Sequence, residues 1–239
     1  NEQLRANLLR TISHDLRTPL TSISGNANNL LYNESCLDAQ MRRQIYGDIY
    51  DDSMWLIDLV ENLLSVTRIE EGRMQIRQSA ELVDEVIKEA LKHTGQSRTG
   101  RTIKVEEEDE LILAKMDARL IVQVLINLIG NAVKYTPQGT DITVRVKKEK
   151  AENAERSQVI ISVCDLGNGI PDDRKERVFD MFYTGSDQVA DSRRSLGLGL
   201  GLCRSIINAH GGKIWISDNI PHGAVVTFTL PAEEVALNE

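Results

Sequence analysis

The sequence contains few cysteines, and their positions argue against two common uses of this residue. Only three occur among its 239 residues, at Cys36, Cys164 and Cys203. They are widely separated, and neither a CxxC pair nor a Cys/His cluster is present. The pattern therefore favours neither a zinc site nor a disulfide framework. A reducing compartment is the simplest setting for such a chain.

Long apolar runs and an excess of positive charge are also missing. No stretch of about 18 consecutive apolar residues occurs, so the sequence predicts no membrane-spanning helix. The 28 basic residues are outnumbered by 36 acidic residues, which gives a formal net charge of −8. This interspersed, acidic balance argues against a nucleic-acid partner and against an anionic-membrane surface. The length suits one large domain or two small ones.

Residues 1–73 are predicted to form a helical hairpin. Apolar residues recur at three- and four-residue steps in two long runs, which is the spacing of one apolar stripe on each helix. We predict a first helix over residues 1–31, a break at residues 33–35, and a second helix that Asp38 caps and Gly72 ends. A single hairpin cannot bury both stripes, so we expect a homodimer through residues 1–73 that forms a four-helix bundle.

The first helix carries an unusual segment, the His box of residues 13–20, which reads SHDLRTPL. His14 lies off the apolar stripe, so it is expected to face solvent, and Thr18 shares its face one turn later. Pro19 lacks the N–H that would bond to the carbonyl of Asp15, so the helix is expected to bend there. An exposed histidine is most often a solvated side chain, but it can also act as a nucleophile.

Residues 74–239 are predicted to form an α+β domain, a two-layer sandwich with helices on one face of a sheet. Helices are expected over residues 80–93 and 117–132, the second with Asp117 as its cap. β-rich segments predict strands over residues 74–78, 103–105, 111–114, 141–146, 159–163, 213–217 and 224–230.

The second helix of this domain ends in the Asn box, residues 127–136. Asn127, Asn131 and Lys134 are spaced by four and three residues, so their side chains face one way. Amide oxygens on one face can hold a hard cation such as Mg²⁺, and a lysine beside them can hold a phosphate. The alternative is a capped polar helix end with no ligand.

Two glycine-rich segments follow. In the first glycine box, residues 165–171, Asp165 comes directly after a strand and can accept a hydrogen bond from an exocyclic amine. Gly167 and Gly169 permit a positive φ and let a flat ring approach the backbone. The alternative is an ordinary Asp-Gly turn, which is common.

The second glycine box, residues 197–203, runs into a helix. Gly197, Gly199 and Gly201 would leave bare N–H groups at the positive end of that helix, where a phosphate can bind. The spacing is neither that of a Walker A loop nor that of a dinucleotide-binding GxGxxG turn. Between the two glycine boxes lies the Phe box, residues 179–182, in which at least one phenylalanine is expected in the core.

Together these segments resemble the catalytic core of the sensor histidine kinases of two-component systems. The order of the boxes and their spacing both match, and the resemblance covers almost all of the chain. The strings SHDLRTPLT and GLGLGLCRSIINAHGG are most similar to the Kdp-type potassium-responsive kinases.

The resemblance implies that the chain phosphorylates its own His14 with ATP, and that Asp15 orients or deprotonates the imidazole. The phosphate would then pass to an aspartate of the receiver domain of a response regulator, and Thr18 would position a water that dephosphorylates that regulator. The chain begins without an initiator Met, so we expect the cytoplasmic portion of a bacterial membrane-bound sensor. Potassium or osmotic strength is the expected stimulus.

In the second domain the resemblance implies an ATP and Mg²⁺ site. Asn127 and Asn131 would lie on the Mg²⁺ side, and Lys134 would contact phosphate. Further nucleotide contacts are implied for Tyr135, Asp165, Gly167, Gly169, Gly197, Gly199 and Gly201. Residues 183–196 would form a lid, from which Arg193 or Arg194 would reach the γ-phosphate; the alternative for these two arginines is solvated charge.

Two other functions are alternatives to the histidine kinase hypothesis. The gyrase, MutL and Hsp90-type ATPases share the fold, and they carry a water-activating glutamate one turn before the magnesium asparagine. Here that position is Asn127, and because a neutral amide cannot take up a proton, transfer to His14 is favoured over hydrolysis. The second alternative is a degenerate kinase that acts as a dimeric scaffold.

Overall fold

The computed structural model describes residues 2–33, 36–70, 76–93, 102–108, 111–150, 157–181, 183 and 197–233. The chain divides into two compact units. The described part of the first unit is helical and ends at Glu70, and the second unit is an α/β structure. The predicted boundary between residues 73 and 74 lies outside the described residues.

The first unit is the predicted helical hairpin. Helix α1 spans Glu2–Tyr32 and helix α2 spans Ala39–Glu70, so both predicted helices are confirmed to within about two residues. The Oδ1 of Asp38 accepts a hydrogen bond from the N–H of Met41 at 2.7 Å, which confirms the predicted cap. Pro19 is buried within α1. No helix among the described residues is both long and apolar enough to cross a membrane.

The second unit is built on a seven-stranded sheet. Its strands are β1 Ser79–Leu82, β2 Ile103–Glu107, β3 Leu113–Met116, β4 Ile142–Lys150, β5 Ser157–Cys164, β6 Ile214–Asp218 and β7 Ala224–Glu233. They lie in the order β1-β3-β7-β5-β4-β2, and β6 also pairs with β7. Strand β2 runs parallel to β4, whereas the other described pairs are antiparallel.

Helices cover the inner face of this sheet. They are α3 Val83–His93, α4 Ala118–Tyr135, α5 Asp172–Lys175 and α6 Gly199–Ala209, with a 3-10 turn at Arg177–Phe179. Helix α4 packs between α3 and α6. Alternate strand residues fill the core; Val144, Val163 and Val226 lie side by side in the register and are all buried. The predicted two-layer sandwich is therefore confirmed.

Four local predictions need correction. Residues 76–78 are not a strand, and Ser79–Leu82, assigned in part to a helix, is strand β1 because it pairs with β3. Asp117 does precede α4, but its side chain makes no cap. Its Oδ2 instead accepts the N–H of Arg77 at 3.2 Å. Helix α4 also continues three residues beyond residue 132, to Tyr135.

A buried histidine joins the two helices that lead to the candidate site. His210 is only 2% exposed. Its Nε2 accepts the main-chain N–H of Asp117 at 3.0 Å, and its Nδ1 therefore donates to the carbonyl of Ile206 at 2.8 Å. The ring thus connects the start of α4 to the end of α6, and both of its nitrogens are used.

Candidate nucleotide site

The structure brings the Asn box and both glycine boxes together. A Cβ added to Gly167 would lie 2.7 Å from the carbonyl oxygen of Tyr135, and one added to Gly199 would lie 3.7 Å from the Asn127 side chain. The C-terminal half of α4 therefore contacts the loop after β5 at Tyr135 and the start of α6 at Asn127. This gathers most of the residues predicted to bind nucleotide.

Helix α4 presents the predicted polar face. Asn127, Asn131 and Lys134 are half-buried, whereas Leu125, Leu128, Ile129 and Ala132 on the other side are buried in the core. The Nζ of Lys134 lies 5.0 Å from the ring centroid of Tyr135, as a cation–π contact. The neighbouring positive charge and amide groups suit a polyphosphate and its cation.

Asn127 is packed against the start of α6. Its Nδ2 is buried and has no hydrogen-bond partner among the described residues. The Cys203 thiol lies beside this amide, and burial raises the pKa of that thiol to about 12, an effect that Asn127 offsets only in part. A thiol sulfur is only a weak acceptor, so the buried Nδ2 remains costly unless a ligand or water satisfies it.

The three cysteines are expected to differ sharply in reactivity. Cys36 is exposed, whereas Cys164 and Cys203 are buried, and burial raises the pKa of both buried thiols. Because the thiolate is the reactive form, one thiol should react with Ellman's reagent at pH 8 in the native protein and three should react in guanidinium. A Cys36→Ser chain should show no fast native reaction. Rapid modification of two thiols in the native protein would contradict the burial.

Asp165 follows β5, and main-chain groups orient its carboxylate. Its Oδ1 accepts the N–H of Gly167 at 2.8 Å and the N–H of Ala224 at 3.2 Å. Both described hydrogen bonds of the carboxylate use the same oxygen. The second oxygen, Oδ2, is the acceptor that an exocyclic amine can use.

The first glycine box is too tight for side chains. A Cβ on Gly167 would lie 2.7 Å from the Tyr135 carbonyl oxygen. Gly169 has a φ of +72°, and its Cβ would lie 3.2 Å from the carbonyl oxygen of Gly223. Glycine is therefore required at both positions for steric and conformational reasons.

The second glycine box leads into α6 as predicted. Gly197 has a φ of +64°, and Leu198, at the N-cap position, makes no side-chain cap. Its apolar side chain cannot accept a hydrogen bond, so the N-cap residue leaves the first-turn N–H groups of α6 available to a ligand or solvent. A Cβ on Gly201 would lie 3.2 Å from the carbonyl oxygen of Phe179. Phe179 is 2% exposed, which confirms that one phenylalanine of the Phe box is core.

Several predicted residues lie outside this description. His14 and Asp15 lie within α1, but their side chains are outside the described set. Phe182 and residues 184–196, which include Arg193 and Arg194, also lie outside the described residues. Thr18 is described and is exposed.

The donor set fits a magnesium nucleotide. Among the described residues, no group of three or more His, Cys, Asp or Glu side chains is arranged to hold a metal ion, so protein ligands here would be amide oxygens. Mg²⁺ keeps several waters and binds substrate phosphates, and it needs few protein oxygens. The buried Nδ2 of Asn127 and the main-chain N–H groups at the start of α6 are hydrogen-bond donors, so they suit the phosphate oxygens of the nucleotide rather than the cation.

Sequence reasoning missed the turn between β6 and β7. Asn219, His222 and Gly223 contact the first glycine box from the end of the neighbouring strand β7. The string DNIPHG is rich in turn formers and predicts a turn. Nothing in it indicates that this turn lies against Asp165, because the two segments are 54 residues apart.

Two family profiles match the chain. The family described as His Kinase A (phospho-acceptor) domain matches residues 4–72, and the family described as histidine kinase-, DNA gyrase B-, and HSP90-like ATPase matches residues 116–234. The chain is 42% identical to the sensor protein KdpD of Clostridium acetobutylicum, over 97% of this chain and 25% of that protein. It thus spans a quarter of that relative's length.

Two solved structures are also similar. The catalytic domain of histidine kinase ThkA is 31% identical with a TM-score of 0.52, and the match covers 65% of this chain and 95% of that one. Histidine kinase ThkA in complex with the response regulator protein TrrA is 26% identical with a TM-score of 0.65, over 97% of this chain and 64% of that one.

Proposed function

Because this chain belongs to the sensor histidine kinases of two-component systems, we propose that it transfers the γ-phosphoryl group of ATP to its own His14. In this reaction an imidazole nitrogen attacks phosphorus, the bond from phosphorus to the ADP oxygen breaks, and an N–P bond forms. Asp15 orients the imidazole and takes up its proton. Asn127 and Asn131 would hold Mg²⁺, which would neutralise charge on the phosphates.

The amide side chain of Asn127 is the observation that favours phosphoryl transfer to a histidine over hydrolysis of ATP. The polar face of α4 offers amides and a lysine, and this helix contains no Asp or Glu. A neutral amide cannot deprotonate water, so a bound ATP has no general base for hydrolysis from this position. An external nucleophile such as an imidazole is then the better acceptor.

A homodimer through residues 1–73 is part of this proposal. Helix α2 carries an apolar row that the hairpin does not cover. Tyr50, Ile57, Val60 and Leu64 lie on one side of α2 and are 47%, 50%, 46% and 51% exposed. A second copy of the hairpin would bury such a row in a four-helix bundle.

Incubation with γ-labelled ATP tests the proposed reaction against both alternatives. A histidine kinase takes up label on the protein, and this label is stable in base and lost in acid. An ATPase of the gyrase type would release labelled phosphate in many turnovers without labelling the chain. A scaffold would do neither, and either of the last two results would overturn the proposal.

Transfer to an aspartate of a response regulator, and removal of phosphate from it, complete the proposed activity. The ThkA relative was solved with a response regulator, which supports a partner of this kind. We further propose that the chain is the cytoplasmic portion of a membrane-bound bacterial sensor of potassium or osmotic strength. Its similarity to KdpD supports this setting.

Replacing Thr18 with alanine should separate autophosphorylation from dephosphorylation of the response regulator. Thr18 is exposed and lies one helical turn beyond His14, so its hydroxyl can hold a water in line with a phosphorylated aspartate. We expect Thr18→Ala to slow dephosphorylation of the regulator by roughly 10- to 100-fold, because water positioning is an orientation effect. Autophosphorylation should change little.

Thr21→Ala is the matched control for this change. Thr21 is also exposed on α1, and its Oγ1 donates to the carbonyl of Arg17 at 2.8 Å. Both activities of the Thr21→Ala chain should stay near those of the wild type. Parallel losses of the two activities in Thr18→Ala would mean that Thr18 only shapes the helix.

A further inference from the structure

One turn contacts the first glycine box at three of its residues. This supporting turn comprises residues 219–223 between β6 and β7. Its main chain closes on itself, since the N–H of Asn219 donates to the carbonyl of Gly223 at 3.0 Å. It then contacts Asp165, Gly167 and Gly169 at separate points.

Asn219 makes the shortest of these contacts. Its Nδ2 donates to the main-chain carbonyl of Asp165 at 2.7 Å, and its Oδ1 accepts the N–H of Ile220 at 3.0 Å. The half-buried amide therefore uses its donor toward the glycine box and its acceptor within its own turn. An aspartate could replace only the second bond, and it would place an oxygen against the carbonyl oxygen of Asp165.

Gly223 shows how closely the supporting turn packs against the first glycine box. It has a φ of +114°, and a Cβ there would lie 2.0 Å from the carbonyl oxygen of Asp165. The carbonyl oxygen of Gly223 also limits the space at Gly169, whose Cβ would approach it to 3.2 Å. The Nδ1–H of His222 donates to the carbonyl of Gly167 at 3.2 Å. Movement of this turn would therefore move the backbone that aims the Asp165 carboxylate.

We propose that Asn219 is a positioning residue for recognition of the nucleotide base, acting through Asp165. It fixes the carbonyl of Asp165, while the N–H of the adjacent Ala224 fixes Oδ1. Together these bonds hold Oδ2 where an adenine amine can donate to it. This inference rests on the proposed use of ATP, and it adds that discrimination between adenine and guanine depends on the supporting turn.

The test measures dissociation constants for ATP and GTP, together with autophosphorylation at saturating ATP. Asn219→Asp should weaken ATP binding relative to GTP binding by about 3- to 10-fold, the range expected for one lost hydrogen bond. The phosphorylation rate at saturating ATP should stay within about twofold, because Asn219 touches neither phosphate nor His14 in this proposal. Asn219→Ala carries no new charge, so it should show the same loss of selectivity without general repulsion of both nucleotides.

Asn208→Asp is the matched control, because Asn208 is exposed near the end of α6 and undergoes the same chemical change. It should bind both nucleotides as the wild type does.

The decisive experiment is a double-mutant cycle. In a chain that already carries Asp165→Asn, adding Asn219→Asp should cause almost no further loss of ATP affinity, because the two residues act as one unit.

The outcomes separate this inference from the proposed function. A wild-type chain that binds no nucleotide, or binds ATP and GTP equally, would overturn the assignment of Asp165 itself. A selective wild type whose Asn219 variants keep the same ATP-to-GTP ratio would overturn only the role of Asn219. The Asn219→Ala chain could instead lose equal affinity for ATP and GTP and unfold at a lower temperature, which would show that the turn is merely structural. Additive losses of ATP affinity in the double-mutant cycle would show the same.

Discussion

The His14→Gln chain is expected to incorporate no phosphate from ATP while binding ATP as tightly as the wild type. Glutamine has a similar helix propensity and fits the interior of α1, but its amide is not a nucleophile. The nucleotide-site residues that the structure describes belong to the α/β unit, whereas His14 belongs to the first, helical unit. Labelling with γ-labelled ATP and a direct binding measurement on the same preparation check both halves of this expectation.

His93→Gln provides the control for the His14 experiment. His93 is an exposed histidine at the end of α3, 3.4 Å from the carboxylate of Glu89, and its replacement should leave labelling intact. The label on the wild type should be lost in acid and kept in base, as expected for a phosphoramidate. Label that persists in His14→Gln, or that is lost in base, would place the phosphate on another residue.

The parts of the fold that the sequence predicts well are those in which local spacing decides the structure. Both helices of the hairpin follow from apolar residues three and four positions apart, and Asp38 caps α2 through a residue only three positions away. The shared face of Asn127, Asn131 and Lys134 depends on helical geometry alone. No tertiary contact is needed for any of these inferences.

The errors arise where a distant partner decides the structure. Ser79–Leu82 is a strand because β3, more than 30 residues later, pairs with it, and this pairing overrides local propensity. Asp117 has the residue type and position of a helix cap, yet its carboxylate accepts the N–H of Arg77, 40 residues earlier. Local pattern cannot reveal either partner.

The same limit explains why the sequence reveals some residues of the candidate site and not others. Asp165 and its glycines can be recognised from a strand followed by a turn. The residues that aim the carboxylate cannot be recognised in this way, because Asn219 and Ala224 are 54 and 59 residues away. A binding residue can thus be visible in the sequence while its supporting residues become visible only in the folded chain.

Asp165→Asn is expected to weaken ATP binding by roughly 30- to 150-fold, which corresponds to about 2–3 kcal/mol. The N–H groups of Gly167 and Ala224 both require an acceptor at the Oδ1 position. The asparagine will therefore keep its oxygen on that side and turn its NH₂ group toward the base. A donor then faces the adenine amine, which is also a donor, and a charge-assisted hydrogen bond is replaced by a mismatch.

GTP supplies the control for this prediction, because guanine presents a carbonyl oxygen where adenine presents its amine. The new NH₂ group can donate to that oxygen, so GTP should lose little affinity and the preference for ATP should narrow or reverse. Titration of both nucleotides into the wild-type and Asp165→Asn chains measures the two ratios directly. If ATP and GTP weaken equally, Asp165 acts only through the two main-chain N–H groups that it holds, and the base must be recognised by other residues.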